Sequence, residues 1–145
     1  MAGNIKITPV CVIDSSFLLS TWLPGEKVSA EHKICVKDFR ANKIIFRSCE
    51  LLKYEIYNSL KSAVMQKRIS REKANILHTA FSLMKIEYVN IDFEKTFDLS
   101  LQHDLTFYDA SYFYLAKLNK CKLLTLDHYL EGMAEKAQNC ILPGP

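Results

Sequence analysis

PVCVIDSSFLLSTWL, residues 9–23, reads as a buried strand that runs directly into a short helix, with one carboxylate, Asp14, at the joint. PVCVI lacks the in–out alternation of a half-solvated strand, so it fits a strand covered on both faces, as parallel sheets are. Pro24 and Gly25 then stop the helix. The same grammar recurs along the chain. Ile44-Ile45-Phe46, residues 87–91 and KLLTL at 122–126 read as further strands, and CIL at 140–142 as a short edge strand. Between them, Val28, Ile34, Cys35 and Phe39 recur at helical spacing over residues 28–41. A long helix is expected from Ser48, with Leu52, Ile56, Leu60, Ala63 and Val64 on its buried stripe. Ser70 reads as the N-cap of the next helix, making a helical hairpin over 48–85, and Thr106 as the N-cap of a helix ending near Leu118. Residues 94–103 and 127–137 supply two more helices. Strands alternating with helices predict an α/β fold with a central parallel sheet of four to five strands, covered on both faces.

The 145 residues are expected to form one domain, 1–145, because 49% hydrophobic content supports a core and no Gly/Ser linker or internal repeat divides them. The apolar run near the N-terminus has only strand length, and no 18-residue apolar stretch follows, so a cytoplasmic protein without a membrane segment is expected. Five scattered cysteines without a CxxC pair exclude a structural zinc motif and suggest buried thiols. A net charge of +3 says little about partners, but Lys61, Lys67, Arg68, Arg71 and Lys73 face Glu72 alone within KSAVMQKRISREK. That patch suits phosphates, or is simply a solvated corner.

Four acids punctuate apolar segments: Asp14, Glu55 in CELLKYEIYNSL, Asp109 in LTFYDASYF and Asp127 after KLLTL. Each has a structural reading. Asp14 and Asp127 suit helix N-caps, Asp109 could close a weak capping box with Thr106, and Glu55 could be a solvated helix residue. Jointly they suggest more, because ligands of a parallel sheet bind beyond the carboxyl ends of its strands. Two carboxylates about 4 Å apart repel by roughly 4 kcal/mol at an effective dielectric near 20. Apart from Lys53, no cation adjoins these acids in sequence, so their pKa values rise or a divalent cation binds. Oxygen donors favour Mg²⁺ or Mn²⁺, which suits phosphodiester hydrolysis. Ser15, Ser16, Thr106 and Thr125 are nearby and read best as caps. His103 and His128 lie closest to the acids, without a nucleophile pairing that would give them a catalytic role.

VIDSSFLL, LLKYEIYNSL, LTFYDASYFYLAKLN and LLTLD, in that order over nearly the whole chain, resemble the four acidic motifs of PIN-domain ribonucleases, specifically VapC-type toxins. The resemblance implies a three-layer α/β/α fold and a Mg²⁺-dependent endoribonuclease leaving 5′-phosphate and 3′-hydroxyl ends. It implies Asp14 and Asp109 as the principal metal ligands. Glu55 and Asp127 would bind metal through water, occupy a second metal site or position the attacking water. It also implies an antitoxin partner and a homodimer. Cys49 stands where the family often has a proline, a local departure. Two other classes compete: a catalytically silent PIN-like module that binds RNA or protein, and a phospho-acceptor receiver domain. The receiver reading lacks an acidic partner beside Asp14 and the expected late lysine. In the aromatic run around Asp109, Phe113 reads as core, while Tyr108 could pack or stack on an unpaired base.

Overall fold

The structure is a computed structural model that describes residues 7–25 and 27–139. Its strands are β1 (Val10–Ile13), β2 (Ile45–Ser48), β3 (Glu87–Tyr88) and β4 (Leu123–Leu124). Its helices are α1 (Ser15–Trp22), α2 (Ala30–Arg40), α3 (Leu51–Met65), α4 (Arg71–Leu83), α5 (Phe93–His103), α6 (Phe107–Asn119) and α7 (His128–Asn139). The strands form one sheet in the order β3-β2-β1-β4, every pairing parallel. Helices cover it in a three-layer α/β/α arrangement, as expected. The proposed strand at 140–142 lies outside the described residues.

One apolar cluster joins the layers. Phe46 of β2 stacks on Phe39 of α2 at 4.2 Å and meets Phe17 of α1 edge-on at 5.6 Å. α6 packs along β1 and β4 with Tyr112, Phe113, Leu115 and Ala116 buried. Phe113 is core, as its place in the aromatic run suggested. The described cysteines are free thiols, three buried and Cys35 half-buried, and burial pushes the Cys11 thiol up to about 11.

Several boundaries differ from expectation, among them β3, which ends at Tyr88 and not at residue 91. Ser48 does not begin the long helix: its hydroxyl donates to the Ile13 carbonyl at 2.9 Å and its carbonyl accepts from Val89 at 2.9 Å. Those bonds commit it to the sheet, and α3 starts three residues later. β4 is only two residues long because Leu126 donates its N–H to the Ser16 hydroxyl at 2.9 Å, pulling the chain away from β1. Helix ends follow local rules elsewhere. With few glycines to call on, α3 closes through Lys67 in the left-handed region at φ 58°, with Lys67 N–H on Val64 and Arg68 N–H on Ala63.

Candidate active site

The strand order fixes where chemistry can occur. From β1 the chain steps outward through β2 and β3, and β4 then returns to the other side of β1. The boundary between β1 and β4 is therefore the switch point, where loops leave the strand ends in opposite directions and open a crevice. Asp14 follows β1 there, and Thr125 and Asp127 follow β4. Ile13 pairs with Leu124, and the Asp14 N–H donates to the Leu124 carbonyl at 3.2 Å, so the two loops begin side by side.

Asp14 is 6% exposed and caps α1 by accepting from the Phe17 N–H at 3.0 Å. Its Oδ1 also accepts from the Ser16 hydroxyl at 2.7 Å, and that hydroxyl lies 3.3 Å from Thr125 Oγ1. Thr125 in turn accepts from the Asp127 N–H at 3.1 Å. Ser16 and Thr125 are thus not caps, the reading the sequence favoured; they lace the two acidic loops together. Thr106 is a cap, accepting from the Asp109 N–H at 3.0 Å. Asp127 caps α7 through Oδ1, which accepts from the Leu130 N–H at 3.0 Å. The capping readings of Asp14 and Asp127 therefore hold. They do not compete with a ligating role, because in each case the helix engages only one carboxylate oxygen.

The four acids reach the site unequally. Burial pushes the Asp14 carboxyl up, nearby Glu55 raises it further, and the Thr125, Ser16 and Phe17 donors pull it partly back. Burial also raises Asp109, with Asp127 adding to the effect and Thr106 opposing it. Asp14 thus feels the charge of Glu55, and Asp109 that of Asp127. Among the described residues no three acidic, histidine or cysteine side chains stand close enough to share one ion.

No lysine or arginine compensates these charges through an ion pair among the described residues. Lys53, the one cation near in sequence, is tied to Glu50 at 3.1 Å and sits 4.2 Å from the Tyr88 ring centre. Oxygen-only donors, raised carboxyl groups and absent countercharges fit Mg²⁺ or Mn²⁺. Mg²⁺ keeps several waters and needs only one or two protein carboxylates, so paired acids suit it better than they would a fully ligating cage.

Sequence reading missed Tyr112. It is 2% exposed, and its hydroxyl donates to Glu55 Oε1, which fixes that carboxylate beside Asp14. Burial and Glu55 hold the phenol far above its ordinary value, so it stays a donor at any working pH. The available signal was spacing: Tyr112 lies three residues after Asp109, on the same helical face. Tyr112→Phe keeps the ring and removes the donor. The expected result is a loss of about 1.5–3 kcal/mol in denaturant unfolding if Glu55 stays charged, with slower cleavage; unchanged stability and rate would show that the bond does not position Glu55.

His103 packs edge-on against Phe113 at 5.2 Å and His128 is exposed, and neither acquires a catalytic partner. Tyr108 is 60% exposed. With Tyr54, Phe93 and Phe107 it lines an apolar cavity of about 670 Å³, adjoining Glu55 and Asp109 in the chain.

Fold and site together define a three-layer α/β/α domain with two acids, Asp14 and Asp127, at the switch point of its sheet. A family model described as PIN domain matches residues 11–136, and the chain belongs to that family. This excludes the receiver reading. The chain is 29% identical over 137 residues to Ribonuclease VapC3 of Pyrobaculum aerophilum, covering 91% of this chain and 98% of that protein. The fold is also similar to the crystal structure of PAE2754 from Pyrobaculum aerophilum, with a TM-score of 0.66 at 22% identity over 88% of this chain and 81% of that one.

Proposed function

We propose that this chain is a Mg²⁺-dependent endoribonuclease, with Mn²⁺ able to substitute, acting as the toxin of a toxin–antitoxin pair. The observation that carries the reading is the pair of acids, Asp14 and Asp127, that follow β1 and β4 at the switch point of a PIN fold without an ion-pair partner among the described residues. The similarity to Ribonuclease VapC3 supports RNA as the substrate.

In this reading Asp14 and Asp109 hold the metal, and Glu55 and Asp127 bind it through water, complete a second site or position the attacking water. A divalent ion bound there would offset charge on the phosphodiester and lower the pKa of a coordinated water. The chain's own groups do the positioning. Ser16 and Thr125 keep the Asp14 and Asp127 loops in register, and Tyr112 aims Glu55. Glu55 and Asp127 are the candidates to accept the proton of the attacking water, which requires an ionised carboxylate within hydrogen-bond reach. Water attacking phosphorus with the 3′-oxygen as leaving group, which takes up a proton, gives a 5′-phosphate and a 3′-hydroxyl.

Product ends test this directly. Fragments should accept a kinase label only after phosphatase treatment, and EDTA should prevent their formation. Fragments with 5′-hydroxyl and cyclic phosphate ends would overturn the reading, because they arise when the RNA 2′-hydroxyl attacks in place of water.

The same reading includes a cognate antitoxin, a homodimer and a cytoplasmic location. The aromatic cavity lined by Tyr54 and Tyr108 supports a protein segment seated in it. A stripe on α5, with Phe93, Phe97 and Leu101 exposed at helical spacing, supports self-association. No helix among the described residues is long and apolar enough to cross a membrane. The alternative is a catalytically silent PIN-like module that binds RNA or protein. Saturable RNA binding without product at high protein excess in Mg²⁺ or Mn²⁺ would decide for it.

A further inference from the structure

The acidic site repels the substrate it is proposed to cut, and Lys53, its nearest cation in sequence, is engaged by Glu50 and Tyr88. Attraction for RNA must therefore come from elsewhere on the surface. The corner joining α3 to α4 is the strongest source. Lys61, Lys67, Arg68, Arg71 and Lys73 are all exposed there, and Glu72 is the only acid between residues 61 and 73. None of the five forms an ion pair among the described residues. Arg68 reaches only the Pro24 carbonyl at 3.4 Å, and Arg71 only Asn75 at 3.1 Å. Among the described residues the side chains of Lys61, Lys67 and Lys73 make no hydrogen bond, so the described contacts give no reason for three cations here.

The corner is joined to the site by a rigid element. Glu55 and Lys61 both sit on α3, where 1.5 Å per residue puts Lys61 about 9 Å further along the axis, and Lys67 and Arg68 lie in the turn that closes the helix. Lys61 on α3, Lys67 and Arg68 in the turn, and Arg71 and Lys73 in the first turn of α4 offer successive charges to the phosphates of an RNA strand.

We propose that the α3–α4 corner grips the phosphate backbone of single-stranded RNA a few nucleotides from the bond that is cut. This rests on the nuclease reading above, but it concerns binding and can fail separately. The corner supplies affinity without sequence choice, because phosphates carry no sequence information.

The test compares wild type with K61Q/K67Q/K73Q, whose lost side chains hold nothing in the fold, and with the charge-keeping K61R/K67R/K73R. Affinity for a short unstructured fluorescent RNA is measured in EDTA at several salt concentrations, and single-turnover cleavage in Mg²⁺ at saturating protein. The glutamine variant should bind on the order of tenfold more weakly at about 0.1 M salt, with a log–log salt slope shallower by about 2, since each single-strand phosphate contact contributes about 0.7. Its cleavage rate at saturation should match wild type, and the arginine variant should bind as wild type does. Unchanged affinity and slope in the glutamine variant would overturn the proposal. So would displacement of the RNA by oligoglutamate at equal charge concentration, which would assign the corner to an acidic protein. If RNA binds through the corner and wild type still makes no product, the nuclease reading fails and the grip stands.

Discussion

Asp109→Asn is expected to fold normally and to cut RNA about 10²–10³-fold more slowly, the usual cost of losing one charged group that acts on the transition state. The fold has little reason to notice the change. Asp109 sits half-buried in the first turn of α6, and the cap there runs from its backbone N–H to Thr106. Burial, and to a lesser degree the charge of Asp127, hold the Asp109 carboxyl above its ordinary range. Removing one charge relieves that repulsion and takes away a proposed metal ligand. Single-turnover cleavage with verified metal occupancy measures the effect, and a wild-type rate would remove Asp109 from the machinery.

Asp14→Asn should move activity and stability in opposite directions. Asn caps helices about as well as Asp, so the Phe17 N–H keeps its acceptor. The difference lies in the buried charge. Because the folded protein holds the Asp14 carboxyl above its ordinary value of 3.8, folding favours the protonated form. That contribution is fully present below the unfolded-state pKa and is lost as pH rises through the raised folded pKa. At neutral pH, ionised Asp14 therefore destabilises the metal-free protein. In EDTA at pH 7 the Asn variant should unfold at higher denaturant than wild type, with the gap closing towards about pH 4. Mg²⁺ should stabilise wild type more than the variant, since a ligand stabilises only the state that binds it. Cleavage should fall as it does for Asp109→Asn. A variant less stable than wild type at pH 7 would mean that the carboxylate serves the fold.

Much of this was legible before the structure. PVCVI gave a doubly buried strand and Asp14 its end, because periodicity and burial are local properties of the chain. The helical hairpin and the Ser70, Thr106 and Asp14 caps were readable for the same reason. Long-range bonds were less visible. Nothing near Ser48 announces that its hydroxyl will bond Ile13, 35 residues away. Ser16 and Thr125 read as caps because their contact spans 109 residues and depends on β4 lying beside β1. Tyr112 was lost in an aromatic run that also holds the core residue Phe113. Its polar end matters only because α3 brings Glu55 within reach.

The most direct test is cleavage of end-labelled RNA by wild type and by Asp14→Asn, each with Mg²⁺, with Mn²⁺ and with EDTA. Metal-dependent cuts by wild type, absent in EDTA and strongly reduced in the folded variant, are the predicted result. Cuts that persist in EDTA, or that the variant makes at the wild-type rate, would contradict an acidic metal site as the seat of the reaction.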